Sequence, residues 1–343
     1  VARPPGVPVV LPIGLTRLAQ SDAARFTMPS VVAYKKNEEG IPIVHSIGEE
    51  AAQIDPTDSD YLVIREVKRL LLAHNDSGSM EEGYIPEEWD IGSGTIRAWN
   101  SNLAAQDVAK EIIREAINRA ITELKELGYN DLKAENLIFS AGVPANTVGS
   151  DRLTILGILR ELGVATMTSA DIVEEPALAL VPHYLVKNID VGDRILVCDI
   201  GGGTTDLAII RFERDDDDRL TSTVGLVHGR KFLGGSDIDQ AISQFLVSKI
   251  AEAEGESPEL VNDIFGGQGR ANRLLKKETI RIKEDLGVLS EVRLDPDVAE
   301  ILGSEDSTIR VTQDDLDRLL NESRFLDKVK ACIEEAVYIT DVI

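Results

Sequence analysis

Cysteine, histidine, aromatics and positive charge are all scarce in this chain of 343 residues. Only two cysteines occur, Cys198 and Cys332, so a disulfide framework is excluded and a reducing cytoplasm fits. Four histidines (His45, His74, His183, His228) lie scattered, without the spacing of a metal site. Lys and Arg number 36 against 60 Asp and Glu, a net charge of −24 that repels a nucleic-acid backbone. No apolar run approaches membrane-spanning length, and the proline-rich start does not resemble a secretory signal. Neither nucleic acid nor membrane is expected as a partner. The apolar share of 43% is that of a globular protein with a proper core.

One stretch organises what is present, Arg194 to Ile210, read RILVCDIGGGTTDLAII. Two apolar runs flank Gly201, Gly202 and Gly203, which predicts two buried strands joined by a glycine turn. Glycines let backbone approach a ligand with no Cβ in the way, and successive N–H groups in such a turn make an anion-binding concavity. Asp199 would stand at its mouth, where a Mg²⁺ on a phosphate chain sits. Thr204 and Thr205 add hydroxyls, and Asp206 adds a second carboxylate.

Other elements follow in order. Short strands are expected at Ser30 to Tyr34 and Ile41 to Ile47, and a helix over Tyr61 to Leu72 that carries Lys68. Leu103 to Leu127 is the clearest helix, its apolar residues recurring at three- and four-residue steps. Asn136 to Val143 reads as a strand, Ser150 to Leu162 as a helix, Asp171 to Val173 as a strand. Glu174, Glu175 and Pro176 make a good helix start, with a helix running to Leu185. Asp215 to Asp218 reads as a solvated acidic turn, since it lacks the spacing of a calcium loop. Gly234 and Gly235 precede a helix over Ser236 to Ala253, a second plausible phosphate contact. Arg270 to Leu286 is a basic amphipathic helix, which either pairs with neighbouring acids or faces an anionic ligand. Short strands at Val292 to Leu294 and Thr308 to Val311 and two further helices precede a last segment, Asp341 to Ile343, that reads as entering a strand.

PSVVAY (29–34), VPANTVGSDR (143–152), EEPALAL (174–180), DIGGGTTDLAII (199–210) with LGGSDID (233–239), and RLLKKETIRIKEDL (273–286) occur in the order of a known pattern. From about residue 29 onward the sequence resembles the nucleotide-binding domain of the seventy-kilodalton heat-shock chaperones, in the actin and sugar-kinase superfamily. The resemblance implies an α/β, two-lobed actin-like ATPase fold of duplicated ribonuclease H-like domains around a nucleotide cleft. The lobes would comprise residues 1–175, the first part degenerate or truncated, and 176–343. It implies binding of ATP or ADP with Mg²⁺. Lys68 matches the lysine that orients the γ-phosphate and attacking water, and Glu175 the acid linking the hinge to that lysine. Asp199 and Asp206 match carboxylates around Mg²⁺, acting through water, and Thr204 the active-site threonine. Gly201, Gly202, Gly203, Thr205, Gly234 and Gly235 match the phosphate-binding turns, and Lys283 an adenosine-side contact. Pro144 and Arg152 match the proline switch and surface arginine of interdomain coupling. Co-chaperones or nucleotide-exchange proteins would be its partners.

Departures accompany the match. The first phosphate turn, Asp-x-Gly-Thr-Thr in the family, finds its nearest register at Pro12-Ile13-Gly14-Leu15-Thr16, where proline and leucine replace the carboxylate and first threonine. On the adenosine side, Ile280, Glu284 and Gly287 stand where a glutamate, an arginine and a serine are expected. No stretch resembles the second adenosine turn, the interdomain linker or the peptide-binding domain, so peptide clients are not expected. The expectation is therefore a chaperone-like nucleotide-binding domain with weak or impaired hydrolysis. Its alternatives are an actin-like filament subunit and a non-catalytic partner-binding module.

Overall fold

The computed structural model describes residues 11, 13–14, 27–55, 58–65, 67–73, 89–90, 92–136, 139–144, 147–164, 168, 172–179, 190–214, 216, 220–230, 233–258, 270–301 and 309–342. The architecture is mixed α/β, with short sheets each backed by helices.

Strand β1 (Val31–Lys36) pairs antiparallel with β2 (Pro42–Ile47) on one side and β3 (Tyr61–Arg65) on the other. The two strands expected around Lys35 to Gly40 are thus present. The helix expected over Tyr61 to Leu72 is corrected: its first part is β3, and helix α2 covers only Val67–Ala73. Tyr61, Leu62, Val63 and Ile64 suit a pleated surface, and β1 supplies the partner for them. Helix α1 (Glu49–Ala52) follows β2. It is held by Arg119, whose guanidinium pairs with Glu49 at 2.7 Å and donates to the carbonyl of Ile13 at 3.1 Å. Gly48, at φ 74, makes that knot accessible, since a Cβ there would lie 3.1 Å from the Arg119 guanidinium.

A small antiparallel meander, β4 (Trp89–Asp90), β5 (Thr95–Ala98) and β6 (Ser101–Ala104), leads into α3 (Ala105–Glu126), the long helix the periodicity predicts. Helix α4 (Gly149–Glu161) crosses between β7 (Ala141–Val143) and β8 (Ile172–Glu174), which pair in parallel. The strand expected from Asn136 is shorter, and residues 134–136 form a 3₁₀ turn instead. Residues 175–179 are helical, as the Glu-Glu-Pro start predicts; the stretch from 180 to 185 lies outside the described residues.

The sheet that carries the central motif has the order β11 (Leu220–Arg230), β10 (Thr205–Arg214), β9 (Arg194–Ile200), all antiparallel. The buried central strand is β10; β9 is its edge among the described residues. Cys198, expected in a core strand, is accordingly exposed. Helices α5 (Gly235–Glu254) and α6 (Arg270–Leu286) pack together over Ile242, Leu246, Ile250 and Ile282. Strands β12 (Glu291–Arg293) and β13 (Arg310–Thr312), with α7 (Pro296–Ile301) and α8 (Gln313–Glu322), complete that core. Helix α9 (Phe325–Val342) buries Cys332 and Ala336 against Leu207 of β10. It continues as helix through Asp341 and Val342, where a strand is expected from the sequence, and its buried apolar residues recur at helical spacing.

Candidate functional site

The glycine turn is the connection between β9 and β10. Gly201 N–H donates to Thr204 O at 2.8 Å, continuing the ladder and leaving Gly202 and Gly203 at the tip. In the β9–β10 register Asp199 lies directly opposite Asp206. Asp206 is buried and Asp199 half-buried. Like charges directly opposite on neighbouring strands destabilise a sheet. The Asp206 carboxylate accepts the Thr204 hydroxyl at 2.6 Å, which fixes one of its oxygens. Thr205 is turned away from the tip, its hydroxyl donating to Leu233 O at 2.8 Å.

The second glycine pair braces the first. Gly235 N–H donates to Gly201 O at 3.0 Å, and Ser236 N–H and hydroxyl both donate to Gly202 O, at 2.7 and 3.0 Å. A Cβ on Gly234 would stand 2.8 Å from Gly201 O and from the Gly203 backbone, so only glycine fits there. The Gly234 N–H is taken by Asp237 in a capping interaction at 2.8 Å. The first N–H groups of α5 therefore serve the turn itself. Ser236 is a contributor that pattern reading missed, because a serine after two glycines reads as an ordinary helix start.

Lys283, from α6, reaches the same corner. Its ammonium pairs with Asp239 at 2.7 Å and donates to Gly235 O at 3.3 Å. Arg281, on the same helix, is held by Glu278 and Asp285 and donates to Arg293 O, so it serves the local fold.

Lys68 is the second residue of α2. Its ammonium meets both carboxylate oxygens of Glu175, at 2.7 and 2.6 Å, a pairing across 107 positions that the sequence alone could suggest only through resemblance. Glu174, next door, holds Arg152. Arg152 also donates to Ile172 O at 2.8 Å and Thr147 O at 3.3 Å, and Thr147 donates to Pro144 O at 2.6 Å. Expected at the surface, Arg152 is instead mostly covered and tied to β8 and to the loop after Pro144. Pro144, Thr147, Arg152 and Glu174 thus form a continuous polar chain ending one residue from Glu175.

Among the described residues no group of three or more His, Cys, Asp and Glu gathers as a metal site. Two facing carboxylates beside a glycine turn are a donor set that Mg²⁺ accepts, since it keeps several waters and takes further ligands from phosphate where phosphate is bound. Of the first phosphate turn, Ile13 and Gly14 are described; Pro12, Leu15 and Thr16 lie outside the described residues, as do all but Asp216 of the acidic turn at 215–218. No helix among the described residues is long and apolar enough to cross a membrane.

The mixed α/β architecture, several small sheets with helices packed on them, fits the two-lobed, actin-like ATPase fold of the family that the sequence matches. The chain belongs to the Hsp70 family: the family model described as Hsp70 protein matches residues 10–343, on the family's nucleotide-binding domain. A relative named Chaperone protein DnaK from Burkholderia cenocepacia strain HI2424 is 25% identical over 323 residues, covering 92% of this chain and 46% of its own length. Chaperone protein DnaK from Burkholderia orbicola strain MC0-3 gives the same values. That of Burkholderia cenocepacia strain J2315 is 26% identical over 332 residues, covering 95% and 48%. The chain spans about half the length of the curated relatives it matches. The family assignment supports a chaperone-type nucleotide-binding function.

Proposed function

We propose that this chain binds ATP or ADP with Mg²⁺ and hydrolyses ATP slowly, as the nucleotide-binding part of a DnaK-like chaperone. The observation that carries the reading is the opposition of Asp199 and Asp206 across β9 and β10, at the mouth of a glycine turn welded to α5. Two acids so placed would hold a divalent cation, whose charge would offset that of a phosphate chain. When bound, Mg²⁺ neutralises phosphate charge and orders water around it.

The chain's own residues then divide the work. Gly201, Gly202 and Gly203 offer backbone N–H groups to phosphate, while Gly234, Gly235, Ser236 and Thr205 hold the turn in shape. Asp199 and Asp206 would hold the cation through water, and Thr204 orients Asp206. Lys68, steadied by Glu175, faces the terminal phosphoryl group and the attacking water. Phosphoryl transfer needs positioning and charge neutralisation above all, and these groups supply both. Lys283 closes the adenosine side. Pro144 and Arg152 carry the state of Glu175 outward to co-chaperone or exchange-factor surfaces.

The lobe boundary falls at 175/176. Supporting it, the buried clusters that include β1, α2, α3, α4, β7 and β8 draw on residues up to Ile172, and those around β10, α5, α6 and α9 on residues from Ala177 onward. Slow hydrolysis rests on Pro12 and Leu15, which stand in the first phosphate turn where the family pattern has a carboxylate and a threonine. Losing aligned catalytic groups costs on the order of 10²–10⁴ in rate.

Calorimetry with MgATP and MgADP tests the reading. Binding that weakens when EDTA removes Mg²⁺ is expected. No heat and no thermal shift with either nucleotide would leave only the partner-binding alternative. A second arm restores the first turn by Pro12→Asp with Leu15→Thr. Faster turnover is expected, and unchanged affinity and turnover would sink the claim that Pro12 and Leu15 impair the first phosphate turn.

A further inference from the structure

We propose that Gly142 is a positioning residue, and that the absence of a side chain at this place is what lets Glu175 reach Lys68. The proposal rests on the hydrolytic reading above for its rate prediction, but its structural half stands apart from it.

Gly142 is the middle residue of β7, and it pairs with Val173 of β8. Its φ is not in the left-handed region, so the backbone itself does not require glycine. The reason is contact. A Cβ at 142 would lie 2.9 Å from Leu178 Cδ1, 3.2 Å from Glu175 Cγ and 3.9 Å from Glu175 Oε1. The Glu175 side chain therefore passes directly over Gly142 on its way to Lys68.

The two close contacts differ in how far they can yield. Leu178 is about a third exposed, and its terminal methyl can swing into solvent. Glu175 has no such slack. Its carboxylate is held at 2.6 and 2.7 Å by Lys68. Its backbone leaves β8 immediately after Glu174, which is fixed by Arg152 and by its pairing with Val143. Inserting a methyl group at 142 therefore pushes Cγ by a few tenths of an ångström, and the displacement is delivered to the Lys68 contact.

The test uses Gly142→Ala, Leu178→Ala and the two together. In Gly142→Ala we expect ATP turnover to fall about 10-fold while nucleotide affinity stays within about twofold, since misplacement by ~1 Å can cost 10²-fold. Adding Leu178→Ala should leave the loss in place, because it relieves only the flexible contact. Wild-type turnover in Gly142→Ala, or full recovery on adding Leu178→Ala, would overturn the proposal in favour of simple strand–helix packing. A second readout needs no nucleotide. Melting midpoints of Lys68→Met, Glu175→Gln and the double variant give the coupling of that pair. The coupling should be present with Gly142 and lost with Ala at 142, and an unchanged coupling also overturns the proposal. Should the wild-type chain bind nucleotide without turnover, or bind none, the hydrolytic reading fails by itself and this coupling still decides the role of Gly142.

Discussion

Lys68 and Glu175 form a two-bond ion pair, at 2.6 and 2.7 Å, between the first turn of α2 and the first residue after β8. Both side chains keep substantial exposure, at 44% and 27%. Exposed pairs contribute about 0–1 kcal/mol to stability, so this one is poorly explained as a structural brace. Lys68→Met should cost no more than about 1 kcal/mol of stability, the size of its coupling to Glu175, yet lower ATP turnover by about 10²-fold or more. Single-turnover kinetics beside a thermal melt would check both halves. A large loss of stability with proportionate loss of turnover would return the pair to a structural role.

The facing acids make an opposite kind of prediction. Asp206→Asn removes one of two like charges held across β9 and β10, so the nucleotide-free protein should become no less stable, and slightly more so at low salt. The same change should abolish the extra thermal shift that Mg²⁺ adds to ATP. Melting curves with nucleotide alone and with nucleotide plus Mg²⁺ provide the comparison. An undiminished Mg²⁺ shift would remove Asp206 from the cation site.

Gly234→Ala forces a methyl group against Gly201 O and the Gly203 backbone, each 2.8 Å away, and none of these atoms is the end of a flexible side chain. A destabilisation of about 1–3 kcal/mol is expected from such overpacking. Nucleotide affinity should fall with it, because the turn must lift from α5. Chemical denaturation and calorimetry on the same preparation measure the two effects.

Alkaline pH supplies a further check. Burial, against the opposing pull of Arg230 and with the Glu335 charge adding to it, pushes the Cys332 thiol up to about 11 from an ordinary value near 9. The folded state thus holds this proton more tightly than the unfolded chain. The associated stability is fully present below about pH 9 and is lost as pH rises through 11, a change on the order of 2–3 kcal/mol. Cys332→Ala should flatten that part of the stability profile. Burial likewise raises the Tyr34 phenol, but Tyr34 is common to both proteins and cancels in the difference. Parallel alkaline profiles would place the Cys332 thiol in contact with solvent.

The strength of each signal in the sequence followed its range. The β9–turn–β10 unit and α3 were legible because both are local: a run, a turn and a run, or one period kept for six turns. The segment 61–72 was misread because Tyr61 to Ile64 fit a helix face as well as a strand, and only β1, which lies 30 residues earlier in the chain, decides between them. The glycine turns were found as motifs, but their mutual bracing was not, since the Gly235 to Gly201 bond joins distant segments. The contacts of Arg152 were not legible, because nothing near it in sequence announces Ile172 O or Glu174. Gly142 gave no signal at all: its glycine answers a tertiary approach rather than a turn. Exposure of Cys198 and burial of Cys332 likewise depend on which strand is central, a property of the sheet and of no single run.

The bonds from Gly235 and Ser236 to the carbonyls of Gly201 and Gly202 have a mechanical meaning. They leave the cradle no freedom of its own: it rides on α5 as a jaw rides on its shank. The shank is gripped by the apolar packing of Ile242, Leu246 and Ile250 against α6, whose Lys283 also closes on the jaw. A rotation of α5 within that grip would open or shut the jaw without breaking a bond inside it. Any grip of this turn on a ligand would then be set from behind, by hydrocarbon buried in the core of α5 and α6.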